Sequence, residues 1–328
     1  DKNLNVLWNI LTYLSELSWA TWYHAIPHLN ILILASIGAV ILLFPIGFPG
    51  RFFGIIFLLP LVFYKPLTPQ LGEVWFTLLD VGQGLSAVIQ TEHHNLVFDT
   101  GAKLSDSYDM GASVVLPFLR IRGIQKIDML VVSHGDNDHI GGVNSILKGI
   151  SVSEIKTSVP ERFSFENTSY CLRGEQWRWD NVNFEFLYPS NEMLNLNNDS
   201  SCVLQITSGN KKILLTGDIE KLAEKDLIEN ESDTLSADIL IAPHHGSKTS
   251  AVNEFIQAIS PAIVLFPVGY RNRYHFPHPS VIRKYQNLGV LSFDSARAGA
   301  IQFKLENNAI SAPLLYREQF GRYWNKIR

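Results

Sequence analysis

The apolar and polar positions divide the chain into two regimes. From residue 74 onward, short apolar runs alternate with longer stretches of mixed polarity. Residues 74–79, 86–90 and 94–98 predict strands, with a turn at Gly82–Gly84 after the first. The runs at 128–132 (DMLVV), 212–216 (KILLT), 238–242 (DILIA) and 263–267 (IVLFP) are largely apolar and predict buried strands. Helical periodicity falls between them, at 219–229 and 250–259. Strands alternating with helices over about 250 residues predict a layered α/β domain at 73–328.

The first 70 residues follow another pattern. Leu4, Leu7, Leu11 and Leu14 recur at helical spacing, with Asn5, Asn9, Thr12 and Glu16 on the opposite side, so 3–20 predicts an amphipathic helix. Residues 30–48 carry no charge, and 52–64 form a second apolar run that contains Pro60. A membrane-spanning helix needs about 20 apolar residues. The two runs, joined by a tight turn at Arg51, are expected to form a pair of transmembrane helices at the end of a 1–70 segment. Arg51 favours placing that turn in the cytoplasm, which puts the later domain outside it, while Lys65 argues for the reverse.

Composition adds little and excludes little. The net charge of −4 means that any nucleic-acid contact must come from a local patch rather than from the whole surface. Cys171 and Cys202 can pair, but two cysteines do not make a disulfide scaffold. A chain that opens on Asp1 is expected to be part of a longer protein.

The densest chemistry directly follows the 128–132 strand. Ser133-His134-Gly135-Asp136-Asn137-Asp138-His139 places two histidines and two aspartates within six residues, and Gly141-Gly142 lets a helix start close by. Turn-forming Asp, Asn and Gly are common in loops, but a plain turn does not explain a histidine at each end. Asp218 follows the 212–216 strand, and His244 and His245 follow 238–242. Functional residues of α/β sheets gather at one end of the strands, so these positions are expected to converge. Asp218 alone reads equally well as a helix N-cap.

This set resembles the metallo-β-lactamase superfamily, whose signature is a His-x-His-x-Asp-His loop, a bridging Asp and a late His. Asp99 matches the superfamily's early Asp, which supports the metal loop. The resemblance implies an αββα sandwich over 73 to about 305, with metals at an open edge. Two departures stand out. Asp136 replaces the loop's second histidine, and no histidine lies between His139 and His244, where most members supply another ligand. Asn198-Asp199-Ser200-Ser201 occupies that place. The donor set is therefore rich in oxygen, which suits Mn²⁺, with Zn²⁺ as the rival.

The departures resemble a narrower family, the ComEC family of bacterial inner-membrane proteins that carry transforming DNA into the cell. Leu79-Asp80-Val81-Gly82-Gln83-Gly84, His244-His245-Gly246-Ser247 and the segment Asn272-Arg273-Tyr274 to His278 carry this likeness. Leu85, where many members have an acidic residue, departs from it.

The resemblance implies two divalent ions that hold a scissile phosphodiester, activate water and stabilise the leaving oxygen. His134, Asp136, Asp138, His139, Asp218 and one of His244 and His245 are the expected ligands, His245 being favoured. Adjacent histidines on an extended segment point in opposite directions, which leaves the other for substrate or loop support. His278 is the candidate proton donor, and Asp80 and Gln83 are expected to border the site. Lys248, Arg271, Arg273 and Ser201 are the candidate substrate contacts. The implied function is degradation of one strand of incoming DNA on the outer (periplasmic) face of the inner membrane. DNA, the lipid membrane, the rest of the channel and other uptake proteins are the implied partners. A small phosphodiester or ester substrate, or a non-catalytic DNA-guiding role, are the alternatives.

Overall fold

A computed structural model describes residues 2–17, 20, 25–306 and 308–322. The chain divides into two compact units. One comprises Asp1–Leu67 with Phe118–Ile124, and the other Thr68–Pro117 with Gln125–Arg328.

The larger unit contains two facing sheets. The first runs Thr168–Tyr170, Ile155–Thr157, Met129–Val132, Asn95–Phe98, Ala87–Gln90, Val74–Leu78, Ile301–Glu306 and Ala309–Ile310, and Leu314–Leu315 also pairs with Ile301–Glu306. The second runs Gln176–Trp179, Val182–Tyr188, Val203–Ser208, Lys211–Leu215, Ile239–Ile241, Ile263–Phe266 and Leu291–Asp294. Each predicted strand is present within a residue or two of its expected ends.

Side chains alternate across each strand, which explains the two cores. Phe76, Leu78, Phe98 and Val131 of the first sheet meet Phe184, Phe186, Leu204, Ile213 and Ile239 of the second. The opposite face of the second sheet, with Leu187, Leu214, Leu240 and Val264, buries Leu227, Phe255, Ile256 and Tyr285 from the helices Lys221–Asn230, Asn253–Ile259 and Pro279–Asn287. Cys171 and Cys202 form a disulfide inside the inter-sheet core.

The smaller unit corrects the transmembrane expectation. The amphipathic helix forms over Lys2–Glu16, and residues 18 and 19 of the expected span lie outside the described residues. The 30–48 run makes a helix only over Leu29–Leu42, about 21 Å long against the roughly 30 Å of a bilayer core. Pro45, Gly47, Pro49 and Gly50 stop it, since proline and glycine do not propagate a helix. The second run is helical over Gly54–Val62. Among the described residues no helix is long and apolar enough to cross a membrane. The expected pair does form. Gly38 and Gly54 lie so close that a Cβ on Gly38 would stand 2.6 Å from the Gly54 carbonyl oxygen, and one on Gly54 would stand 2.5 Å from that of Gly38.

Candidate metal centre

The site is built from strand ends. Phe98 leads into Asp99, Val132 into Ser133 and His134, Leu215 into Asp218, and Ile241 into His244 and His245. Because the strands Lys211–Leu215, Ile239–Ile241 and Ile263–Phe266 are parallel, the loops after them leave the sheet on one edge.

Asp99 organises the metal loop from beneath, fully buried. Its Oδ1 accepts the Ser133 backbone N–H at 2.7 Å, and its Oδ2 accepts the Ser133 hydroxyl and His139 Nδ1, each at 2.7 Å. A carboxylate only accepts, so His139 carries a proton on Nδ1 and turns Nε2 toward the site. His245 is arranged likewise, with Nδ1 donating to the Pro267 carbonyl at 2.9 Å. Ser133 Oγ, having given its proton to Asp99, accepts from His134 Nδ1 at 3.1 Å.

The three Nε2 atoms and two carboxylates then converge. His139 Nε2 lies 3.2 Å from Asp218 Oδ1 and 3.3 Å from His245 Nε2. His245 Nε2 lies 3.3 Å from both Asp138 Oδ2 and Asp218 Oδ2. His134, His139 and Asp218 form one group with metal-binding spacing, and Asp138, His139 and His245 form another. Asp136 stands at the exposed rim, its Oδ2 3.7 Å from His134 Nε2.

This donor set fits divalent ions. His134 Nε2 and Asp218 Oδ1 are buried and have no hydrogen-bond partner. The Nε2 atoms of His139 and His245 stand 3.3 Å apart, so positive charge, as a proton or a metal ion, is needed between them. The electrostatics agree. Burial pushes Asp138 up, but the hydrogen bond from His245 and the charges of His139 and His245 outweigh it and hold the group at about 2. Asp218 is likewise held well below the usual carboxylate range, against its burial, by His139 and His245. Burial pulls His139 and His245 down, yet Asp218 with Asp99 lifts His139 well above its ordinary value, and Asp218 with Asp138 lifts His245 to about 9. The carboxylates therefore demand cationic charge, which protons or metal ions supply in competition.

Several expected positions land elsewhere. Asp199 does not take the missing histidine's place. Its Oδ1 accepts the backbone N–H of Glu220 at 2.7 Å and of Ala223 at 3.1 Å, capping the helix Lys221–Asn230. That capping leaves Asp218 free for the centre. Ser201, expected at the substrate, is fully buried. Its hydroxyl donates to the Asn198 carbonyl and accepts the Asp218 N–H at 3.2 Å, so it positions Asp218 instead. Asp80 pairs with Arg317 rather than with the cluster, and Gln83 Oε1 accepts the Gly269 N–H at 3.4 Å. Their turn still braces the centre. The Leu85 N–H donates to the Asp138 carbonyl at 3.2 Å, and a Cβ on Gly84 would stand 2.4 Å from that oxygen.

His278 caps the helix Pro279–Asn287 through Nδ1, which accepts the Ser280 N–H at 3.3 Å, and its own N–H donates to the Gly246 carbonyl at 2.9 Å. Lys248, Arg271 and Arg273 are exposed, and the two arginines lie over the rings of Tyr270 and Tyr274. Sequence reasoning missed Ser133, whose type carries no metal signal, and Glu220, an ordinary acidic residue near a helix start. It also missed Arg162, which donates to the Gly135 carbonyl within the metal loop.

Comparison with known proteins agrees with this geometry. The chain is 33% identical over 316 residues to competence protein ComA of Neisseria gonorrhoeae, covering 96% of this chain and 44% of that protein. It is 31% identical over 251 residues to recombination protein 2 of Haemophilus influenzae, covering 76% of this chain and 31% of that protein. It is 31% identical over 274 residues to ComE operon protein 3 of Bacillus subtilis, covering 75% of this chain and 35% of that protein. The chain thus spans less than half the length of each. A family model described as the metallo-beta-lactamase superfamily matches residues 79–269. With the loop, the early Asp99, Asp218 and the late histidines in place, the chain belongs to the metallo-beta-lactamase superfamily.

Proposed function

We propose that the chain is a metal-dependent nuclease of the ComEC type that degrades one strand of DNA entering the cell during natural transformation. The observation that carries the reading is the convergence of His134, His139 and His245, each with Nδ1 tied to an acceptor, on Asp218 and Asp138. Relatives named as competence and recombination proteins favour DNA over a small ester as the substrate.

In this reading His134, Asp136 and Asp218 hold one divalent ion, and Asp138, His139, His245 and Asp218 hold a second. Such ions supply Lewis acidity at a phosphoryl oxygen and lower the pKa of water. The carboxylate-rich loop favours Mn²⁺, with Zn²⁺ as the rival. Asp99 and the Pro267 carbonyl occupy Nδ1 of His139 and His245, which leaves Nε2 as the nitrogen that metal would take by displacing a proton. His278 has the opposite tautomer. Its Nδ1 accepts from a backbone N–H, so a neutral ring carries its proton on Nε2 and can give it to the leaving oxygen. Lys248, Arg271 and Arg273 attract the phosphate backbone as exposed charges.

The proposed location is the outer face of the inner membrane. A buried Cys171–Cys202 disulfide supports an oxidising compartment. DNA, the lipid membrane, the remaining channel and other uptake proteins are the proposed partners. The exposed apolar side chains of the smaller unit, Ile33, Ile37, Ile46, Phe52 and Phe53 among them, support contact with lipid or with apolar protein surfaces.

The test uses the whole 328-residue chain. Labelled duplex and single-stranded DNA are incubated with Mn²⁺, Zn²⁺, Mg²⁺ or EDTA, beside Asp138→Ala and Asp218→Ala. Metal-dependent cutting lost in both folded variants supports the nuclease. A folded, metal-loaded chain that leaves DNA intact with every metal, while hydrolysing a small phosphodiester such as bis(p-nitrophenyl) phosphate, overturns the DNA assignment.

A further inference from the structure

His244 was expected to point away from His245, because neighbours on an extended strand alternate. The backbone here is not extended. His244 has φ 47° and ψ 46°, and His245 has φ 55° and ψ 17°. Both lie in the left-handed region, which histidine rarely occupies and which persists where surrounding structure enforces it, often at functional sites. Two consecutive left-handed residues follow a tight helical path, so their side chains do not alternate across a strand and both can reach one edge.

His244 also repeats the construction of the other three histidines. Its Nδ1 hydrogen-bonds the Thr249 hydroxyl at 3.2 Å; that hydroxyl spends its own proton on Glu220 Oε1, so it accepts from Nδ1, and the same Glu220 oxygen lies 3.0 Å from the ring nitrogen. Thr249 Oγ1 donates to the same Glu220 oxygen at 2.9 Å and fixes its position. Nε2 then faces Asp218, 3.8 Å from Oδ2. A ligating histidine characteristically gives its other ring N–H to a carboxylate or carbonyl. Asp99 does this for His139, the Pro267 carbonyl for His245, and the Thr249 hydroxyl, itself held by Glu220, for His244.

We infer that His244 is a fourth histidine ligand of the metal centre and that Glu220 is its positioning carboxylate. The chain thereby restores, from the residue next to its late histidine, the nitrogen donor missing between His139 and His244. The inference rests on the metal-centre part of the proposed function and not on DNA as substrate.

The test reads metal binding rather than turnover. The full chain is stripped with chelator, then titrated with Mn²⁺ by calorimetry and with Co²⁺ by visible absorption, beside His244→Ala, Glu220→Gln and Glu220→Asp. Thermal melts accompany each protein, and Glu220→Gln carries the test if His244→Ala does not fold. The expected result is a loss of affinity of at least about 10-fold for one equivalent in His244→Ala, and a loss of about 10- to 100-fold in Glu220→Gln, with partial recovery in Glu220→Asp. The Co²⁺ bands shift in His244→Ala because a nitrogen donor is lost. Wild-type affinity, stoichiometry and Co²⁺ spectrum in folded His244→Ala and Glu220→Gln overturn the inference. A wild-type chain that takes up no metal overturns both this inference and the nuclease reading. A chain that binds metal through His244 yet leaves DNA uncut overturns only the latter.

Discussion

Asp99 accepts the Nδ1 proton of His139 across 2.7 Å, from 40 residues earlier in the chain. The pair fixes one tautomer of one ring, and the ring's other nitrogen stands in both candidate metal groups. Asp99→Asn keeps the shape but weakens control of the proton. Metal affinity is expected to fall by about 10- to 100-fold, the usual effect of losing an orienting partner. Calorimetric titration with Mn²⁺ checks this, and wild-type affinity would remove Asp99 from the centre.

The disulfide links residues 31 positions apart, from the first-sheet side of the core to the start of the strand that follows Ser201. A loop of that size is expected to stabilise the fold by about 3–4 kcal/mol, mainly by restricting the unfolded chain. Cys171→Ser with Cys202→Ser should therefore lower the Tm by roughly 6–16 °C, at about 2–4 °C per kcal/mol for a domain of this size. Melting the wild type with and without reductant checks the same quantity. An unchanged Tm in both would show that the cross-link adds nothing.

Glu224 gives a pH signature remote from the metal ligands. Its carboxyl accepts the backbone N–H groups of Ala251 and Val252, with Lys284 nearby, but burial dominates and pushes it up from 4.5 to about 7. A folded-state value above the unfolded one means that the folded chain binds the proton more tightly. The resulting stabilisation is complete below pH 4.5 and is lost as pH rises through 7. Urea unfolding of the wild type is therefore expected to weaken between pH 5 and pH 8 relative to Glu224→Gln, by an amount on the order of 3 kcal/mol. Parallel pH profiles for the two proteins would contradict this.

Gly84 combines φ 134° with a backbone approach that leaves no room for a Cβ beside the Asp138 carbonyl. Gly84→Ala must move the segment that carries Asp138. Loss of about 1–3 kcal/mol of stability is expected together with weakened metal binding. Gly82→Ala serves as the comparison, since a Cβ there meets nothing within 4 Å although its φ is also positive. Equal metal affinities in the two variants would show that crowding at Asp138 is unimportant.

Arg271 and Arg273 separate DNA from a small substrate. If each contacts a phosphate, Arg273→Ala should raise the KM for DNA and reduce the slope of log affinity against log salt by about 0.7 to 0.9. Turnover of bis(p-nitrophenyl) phosphate should be unchanged. Binding measured by fluorescence anisotropy across a salt series gives the slope, and an unaltered slope removes Arg273 from the DNA path.

The residue pattern by itself determined the strands, the order of the ligand-bearing loops and the absence of a histidine between His139 and His244. Those features are local. Strand periodicity depends on neighbours two positions apart, and His134 to His139 lie within one loop after one strand. The tertiary structure decided matters that depend on distant partners or on backbone angles. Asp218 alone read equally well as a helix N-cap, and Asp199 lay in the segment where another ligand was expected. Only the meeting of Asp199 with the N–H groups of Glu220 and Ala223 assigned the cap and released Asp218. Ser201 was a candidate substrate contact until burial and its bond to the Asp218 N–H made it a support. The 30–48 run had the length of a membrane span in residues but not in helix, because Pro45 and Gly47 end it after Leu42. The two adjacent histidines had opposite expected directions, and two left-handed φ values reversed that expectation. Side-chain direction follows φ and ψ, and at this loop the packed strands around it, not the local pattern, set those angles.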